Sequence, residues 1–426
     1  MKGAPDVVVV GGGAAGLLAA GTAAAAGARV LLLEKNSETG KKLKIAGQGR
    51  CNITNAGDIR DFPAHYPGGG NFLHSAFRRL DNEGLRHFFA ALGVATKIER
   101  GGRVFPLSDD AAEVVRALRA YARAGGVETE TERRVERLAL APGDRASRPR
   151  VSGVYVAGET GLRTAGATII ATGGAAFPGT GSTGDGYALG AAAGHTLVPP
   201  RPALVPLRAT ADWLGAVQGL SLRNVRAALW VGGRRVQEEF GEMIFAHFGL
   251  SGPIILLLSR AAVGALEEGA EAVVRINLKP ALTAEQTARR LDRDLAQNGK
   301  KHLRHALLLL LPRRLVPVLI ALAGLEPERQ AAGLTREERR RLAELLQDLP
   351  LRLTGHLGFS AAVVTAGGIN LKEVDPATMA SKCADGLFWA GEVLDVDGVT
   401  GGYNLQAAFS TAFVAGQAAA ARKSGV

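Results

Sequence analysis

Apolar residues along this chain change rhythm several times, and each change marks an element. Residues 6–34 open with a β-branched run, Val7 to Val10, pass through a glycine cluster and an uncharged Ala-rich stretch, and close on Leu31–Leu33 and Glu34. That order predicts strand, tight turn, buried helix and strand. Residues 35–57 are rich in Gly, Lys and Asn with little apolar periodicity, and predict a loop that wraps a ligand. Residues 71–92 predict one or two amphipathic helices, and 109–124 predicts another, with Ala112, Val115, Leu118 and Ala122 near helical spacing. Alternation over 126–140 and 150–174 predicts strands and hairpins. The last of these runs ends on the small residues Thr172-Gly173-Gly174, suited to close approach by a bound molecule.

The character shifts from about residue 195 to 355. Strand-like runs, with Gly232-Gly233 as a hairpin turn, precede an apolar stretch at 252–266 that predicts a buried helix. Residues 283–325 predict helices with short breaks, and Thr335 with Glu338 forms a capping-box pattern ahead of a charged helix over 336–348. The apolar stretch 305–325 is split by Pro312-Arg313-Arg314 into pieces too short to span a bilayer. Residues 359–373 return to strand character, and 386–422 predicts strand, Gly/Asp loop and a long Ala-rich helix starting near Asn404. The organisation expected is a first domain over 1–194, an insert over 195–355 and a return to the first domain over 356–426. Within the insert, a β unit covers about 195–280 and a helical unit about 281–350.

The glycines of the opening unit carry chemistry. Gly11, Gly13 and Gly16 stand at G-x-G-x-x-G spacing between strand and helix. The first permits the sharp turn, the second lets backbone approach a pyrophosphate, and the third lets helix pack closely on strand. A pyrophosphate would lie at the helix N-terminus, and Glu34, at the end of the second strand, is placed to accept hydrogen bonds from a ribose diol. Residues 7–28 carry no charge, but six glycines interrupt them, which argues against a membrane span or signal segment. A second nominal motif at Gly179, Gly181 and Gly184 follows Pro178 and lacks a strand directly before it, so a second dinucleotide fold is not expected there.

Composition narrows the setting. The chain has 426 residues, 47% hydrophobic and 21% charged, as in ordinary globular proteins. Its two cysteines, Cys51 and Cys383, make no disulfide framework and fit a reducing cytoplasm. The eight His and two Cys show no metal-ligand spacing, so no metal is expected. The net charge of +11 raises nucleic acid or another anion as a partner. Residues 195–355 hold 23 Lys+Arg against 16 Asp+Glu, a difference of +7. The basic residues are spread without a long block, and RNA-binding motifs and clustered aromatics are missing, which disfavours nucleic acid.

With these motifs in hand, the chain resembles the glutathione-reductase-like two-dinucleotide-fold flavoproteins. Within them it is similar to the bacterial family labelled aminoacetone oxidase-like or 3-dehydro-bile-acid reductase-like. The resemblance rests on the glycine turn with Glu34, the segment 40–55, Gly102–Pro106, 247–253, 364–370 and 391–406, and covers nearly the whole chain. It implies an α/β fold: a three-layer, Rossmann-like FAD-binding domain with a parallel central sheet, interrupted by an inserted β-barrel-like and helical domain. FAD is the implied cofactor, with NAD(P)H a transient co-substrate.

Carried onto this sequence, the resemblance implies that Gly11, Gly13, Ala14, Ala15 and Gly16 line the pyrophosphate. Glu34 holds the adenosine ribose with Lys35 beside it, and Lys42 meets a phosphate or the adenine side. Gln48, Gly49, Arg50 and Cys51 run under the flavin, and Val135 meets the adenine through its backbone. Thr172, Gly173 and Gly174 flank the nucleotide. Gly391 and Glu392 lie on the ribityl or phosphate side, and Gly402, Tyr403, Asn404 and Leu405 present N–H groups to the flavin N1/C2=O edge. Ala46 departs from the family's Ser, removing one hydrogen bond at the flavin edge.

Flavin supplies redox chemistry and protein supplies orientation and electrostatics. Disulfide-reductase chemistry needs two adjacent cysteines, and Cys51 and Cys383 are far apart in sequence. His247 is the first candidate for proton transfer and Tyr403 the second, each with a purely structural alternative. Arg50 and Arg103 are candidates to grip an anionic substrate, and each could equally brace a loop. The expected function is NAD(P)H-driven reduction of an unsaturated or carbonyl-bearing small molecule by a cytoplasmic enzyme, with a homo-oligomer compatible. The alternatives are an O2-using oxidase of a small amine and, from another class, an RNA-associated flavoprotein.

Overall fold

The computed structural model describes residues 3–142 and 148–422. The chain first runs through β1 (Val7–Val10), α1 (Ala14–Ala25), β2 (Val30–Leu33), α2 (Lys41–Ile45), β3 (Thr54–Asn55), α3 (His74–Arg79) and α4 (Asn82–Ala91). There follow β4 (Thr96–Glu99), β5 (Arg103–Pro106), α5 (Ala111–Ala124), β6 (Glu128–Glu130), β7 (Val135–Ala141), β8 (Arg150–Val156), β9 (Leu162–Thr164), β10 (Ala167–Ile170), α6 (Asp185–Ala192) and β11 (Leu197–Ala203). A second stretch holds β12 (Leu207–Thr210), α7 (Leu214–Val217), β13 (Ser221–Val231), β14 (Arg234–Ala246), β15 (Gly249–Ser251) and α8 (Pro253–Glu267). It continues with β16 (Ala272–Asn277), α9 (Ala284–Gln297), α10 (Leu303–Ala306), α11 (Val316–Leu322), α12 (Arg336–Gln347) and β17 (Leu349–His356). The chain closes with β18 (Val364–Ile369), β19 (Leu387–Trp389) and α13 (Tyr403–Ala421).

These elements form two compact units, 1–202 with 362–426, and 203–361. The first is built on a five-stranded parallel sheet of order β19-β10-β1-β2-β6. Every residue of β1, β2 and β10 is buried, which explains their unbroken apolar runs: a parallel sheet has both faces covered. Strand order reverses beside β1, and in open α/β sheets the crevice at such a switch point is where ligands bind.

Helix α1 has no polar face because it has no wet face; Ala15 through Ala24 are all buried. It packs on α13 and α5. Small residues set that separation: a Cβ at Gly416 would come 2.6 Å from the carbonyl oxygen of Ala19, and one at Gly21 would overlap the Tyr121 ring. The stretch 35–57 differs from the loop that its weak periodicity predicts. It contains α2, a single turn anchored by buried Leu43, and the short β3, which pairs with β5.

The second unit is a closed antiparallel barrel of order β12-β15-β14-β13-β16-β17 with helices α9 to α12 sharing its core. Gly232 and Gly233, both with positive φ, turn the β13–β14 hairpin, and the Thr335 capping box is complete in both directions. The chain remains in the first unit through β11, because β11 pairs with β18.

Candidate flavin site

The turn after β1 is shaped by glycine at two points. Gly11 has φ +100°, and a Cβ there would meet the carbonyl oxygen of Ala171 at 2.6 Å. A Cβ on Gly16 would fall onto the carbonyl oxygen of Gly11, so helix and strand could not close. Gly13 is different: a Cβ there would meet nothing within 4 Å. Gly13 is also the N-cap of α1 and offers no side-chain cap, leaving first-turn N–H groups facing an open cradle. An anion suits that place. Ala14 and Ala15 form the first residues of the helix, with Ala15 packed toward Gly391, whose own Cβ would come 2.8 Å from the Ala15 methyl.

Glu34 is buried at the end of β2 and reaches back to this turn. Its Oε2 accepts the Gly12 N–H at 2.6 Å, and its Oε1 accepts the Asn36 backbone and side-chain N–H groups at 2.8 and 2.7 Å. A carboxylate has about four acceptor positions, so one remains for a ligand hydroxyl. Lys35 instead pairs with Asp185 at 2.8 Å, tying the end of β2 to the first turn of α6. Its partner carboxyl is held below the usual range: burial pushes it up, and Lys35 and Thr183 outweigh that.

Lys42 pairs with Glu392 Oε2 at 2.8 Å, and Glu392 Oε1 accepts the Thr365 N–H at 2.9 Å. Gly174 lies against this group, since a Cβ on it would overlap Thr365 Oγ1 and come 3.1 Å from Glu392 Oε1. Gly173 has positive φ, and Thr172 faces α6 so closely that a Cβ on Gly186 would overlap its hydroxyl. Val135 is buried at the start of β7.

The segment 47–51 winds through positive φ at Gly47, Gln48, Gly49 and Cys51. For Gln48 and Cys51 this is a strained backbone, of the kind that clusters at ligand clamps. Cys51 is fully buried and its thiol is pushed up to about 12 by desolvation, so it is a packed residue with no thiolate at neutral pH. Arg50 is held by Glu99 and Asp109 and lies over the Phe105 ring at 4.1 Å. Arg103 is more exposed and approaches Glu99 at 4.0 Å. Both arginines therefore converge on the β4–β5 hairpin.

Helix α13 begins at Tyr403, one residue before the sequence-based start, with Gly402 as its N-cap at φ +101°. A Cβ on Gly402 would overlap the carbonyl oxygen of Thr54, so only glycine lets the helix end meet β3. No side chain caps this end. The Asn404 side chain is occupied with Gly398, accepting its N–H and donating to its carbonyl, both at 2.8 Å; Leu405 is half-buried. Tyr403 stacks on His65 at 4.1 Å and takes the edge of Phe62 at 5.0 Å. Burial, then the charge of Asp61, raises its phenol pKa.

His247 lies in the second unit, in the exposed turn between β14 and β15, with Phe248 as its ring neighbour. Two polar groups of the first unit escaped sequence reasoning. Asn52 Oδ1 is buried with no hydrogen-bond partner among the described residues, inside the strained loop. His65 stacks on Tyr403, a proximity that 338 residues of separation hide.

An open cradle at Gly13, an orphan acceptor at Asn52 and an uncapped helix end at Gly402 fit an extended dinucleotide. Fold and site together define an FAD-dependent oxidoreductase with a Rossmann-type domain. The chain belongs to the HI0933-like protein Rossmann domain family, whose model it matches over residues 5–418. It is 34% identical over 395 residues, 93% of each chain, to a 3-dehydro-bile acid delta(4,6)-reductase of Clostridium scindens. It is 30% identical over 387 residues, 90% of each chain, to a ribosomal RNA dihydrouridine synthase of Haemophilus influenzae. Among solved structures it shares the fold of 3-ketosteroid delta1-dehydrogenase from Sterolibacterium denitrificans, with TM-score 0.56, 15% identity, and 98% of this chain and 99% of that chain covered. Among the described residues, no helix is long and apolar enough to cross a membrane.

Proposed function

We propose that this enzyme reduces a carbon–carbon double bond conjugated to a carbonyl, in a small polycyclic or steroid-like molecule, at the expense of NAD(P)H. The names of the two relatives support the reaction class, since a delta(4,6)-reductase of a 3-keto compound and a dihydrouridine synthase each saturate a double bond conjugated to a carbonyl. The carrying observation in this chain is the uncapped N-terminus of α13 at Gly402, in the same unit as the open glycine turn. A helix N-terminus stabilises negative charge, by roughly 0.3–2 kcal/mol for the dipole alone, and so favours a group that becomes anionic on reduction. Bound FAD would supply two-electron, hydride-level chemistry between NAD(P)H and the conjugated double bond.

The chain's own residues supply the rest. Gly13 and the first turn of α1 would hold the pyrophosphate, and Glu34 the ribose. Tyr403, with its phenol kept protonated by burial, is the proton donor we assign to the substrate carbon. Cys51 is protonated and unpaired, so reducing equivalents are not routed through a disulfide. The two free cysteines fit the cytoplasmic setting we assign.

A second reading replaces the small molecule by a uracil base in RNA. The +11 charge and the kinship with a dihydrouridine synthase favour it. One experiment separates the readings. Enzyme reduced anaerobically by NADH or NADPH is mixed with a 3-oxo-Δ4,6-steroid, with unmodified ribosomal RNA, or with nothing. Reoxidation with a 2 Da heavier steroid supports the proposal, as does failure of RNA to react. Dihydrouridine in the RNA with inert steroid establishes the second reading. Bleaching by a small amine but by neither nicotinamide overturns both.

A further inference from the structure

Helix α6 carries a phenol that neither the motifs nor the proposed chemistry uses. Tyr187 stands in the first turn of this helix and is 7% exposed. A Cβ on Gly184, the N-cap of α6, would come 3.0 Å from the Tyr187 ring, so the ring packs against the helix end. A Cβ on neighbouring Gly186 would overlap the Thr172 hydroxyl, and one on Gly174 would overlap Thr365 Oγ1 and come 3.1 Å from Glu392 Oε1. The start of α6 thus meets the segment 172–174 at the corner where that segment meets Thr365 and Glu392.

The Tyr187 hydroxyl is buried without a hydrogen-bond partner among the described residues. Its neighbour Thr365 can only donate toward it. Thr365 Oγ1 already accepts the Ala175 and Ala176 N–H groups at 2.9 and 3.0 Å, which fills both lone pairs. Burial first, then the charge of Glu392, raises the phenol pKa; Thr365 offsets part of this and Asp395 adds to it. The phenol therefore keeps its proton and needs an acceptor for it. Glu392 acts on it by charge alone, its Oε1 and Oε2 being turned to the Thr365 N–H at 2.9 Å and to Lys42 at 2.8 Å. A buried hydroxyl donor with no acceptor is costly and calls for an explanation.

We propose that Tyr187 is a cofactor-binding residue whose O–H donates a hydrogen bond to a hydroxyl of the FAD ribityl chain. The inference rests on the FAD site described above and adds a residue to it. The charges around the phenol select the acceptor. Glu392 and Asp395 already place negative charge there, and a phosphate oxygen would add more. A ribityl hydroxyl is neutral, and it brings a proton of its own. A carboxylate has about four acceptor positions, so Glu392 keeps room for that proton. Tyr187 and Glu392 then act as a donor and an acceptor for the same sugar-alcohol oxygen. The two lie 205 residues apart in sequence, so no motif spacing joins them.

The test compares the FAD-loaded full chain with Tyr187→Phe, which removes the oxygen alone. FAD release on dilution, followed by flavin fluorescence, is expected to be roughly 3–10-fold faster in the variant, as for the loss of one neutral hydrogen bond. ADP, which has the pyrophosphate but no ribityl chain, should bind both flavin-free chains equally by calorimetry. The melting temperature without flavin should be unchanged or higher in Tyr187→Phe, because a donor with no acceptor has been removed, whereas the FAD-loaded variant should melt below the loaded parent. FAD release at the parent rate overturns the inference. Equal losses of melting temperature with and without flavin do so too, since they reduce Tyr187 to packing. A fall in ADP affinity moves the contact to the pyrophosphate and overturns the ribityl assignment. A parent chain that takes up no FAD overturns the cofactor site itself, an outcome distinct from any failure of the variant.

Discussion

The backbone N–H of Gly12 donates a 2.6 Å hydrogen bond to Oε2 of Glu34, joining the glycine turn to the end of the neighbouring strand. In the site we propose, the carboxylate would do two jobs: it fixes the glycine turn and keeps one acceptor position that a ribose hydroxyl would take. Glu34→Gln turns an acceptor into a donor opposite another N–H. Hydrogen bonds to charged groups contribute about 1.5–3 kcal/mol, so FAD affinity should fall by roughly 10–100-fold. Fluorescence titration of the apoprotein with FAD measures this, and unchanged affinity removes Glu34 from the site.

Two glycines of the same turn should fail in different ways. Gly16→Ala drives a methyl into the Gly11 carbonyl and should lower the melting temperature along with flavin binding. Gly13→Ala meets no protein atom and sits at φ −78°, which alanine accepts. Its melting temperature without cofactor should match the parent, while FAD binding falls because the methyl occupies the cradle. Equal losses of stability in both variants would contradict the assignment of Gly13 to the ligand face.

His65, stacked on Tyr403, gives the chain an acid-sensitive point. Burial lowers its pKa, partly offset by Asp61. The unfolded chain therefore takes up this proton first, and the associated stability is present above about pH 6.5 and is lost as pH falls toward the folded-state value. Melting temperatures measured from pH 8 to 5 should decline less steeply in His65→Gln than in the parent. Identical slopes would show that His65 takes up its proton equally in the folded and unfolded chain, contradicting the effect assigned to its burial.

Arg50 and Arg103 were both legible as possible anion grips, yet the fold engages Arg50 with Glu99, Asp109 and the Phe105 face. Arg50→Met should therefore lower thermal stability and leave KM nearly unchanged. Arg103→Met, whose parent side chain is more exposed, should be nearly silent in stability. A raised KM in Arg50→Met with an unaltered melting temperature would return Arg50 to the substrate.

Much of the fold was legible because its signals are local. The runs Val7–Val10 and Leu31–Leu33, the spacing of Gly11, Gly13 and Gly16, and the Thr335 capping box each act within a few residues. The turn at α2 was hidden because one buried leucine, Leu43, holds it through tertiary packing. Partnerships across long separations were hidden for the same reason, among them Lys35 with Asp185, Lys42 with Glu392 and His65 with Tyr403. The orphan acceptor on Asn52 carried a weak signal, its place in the motif 40–55, but its burial is a property of the folded loop alone.

The central claim, that an extended FAD lies in the cradle opened at Gly13 and Gly402, is tested most directly by the cofactor content of the folded chain. Protein purified without denaturation, then unfolded, should release close to one FAD per chain by absorbance and mass. A cooperatively folded, colourless protein that takes up no FAD on incubation would contradict the account.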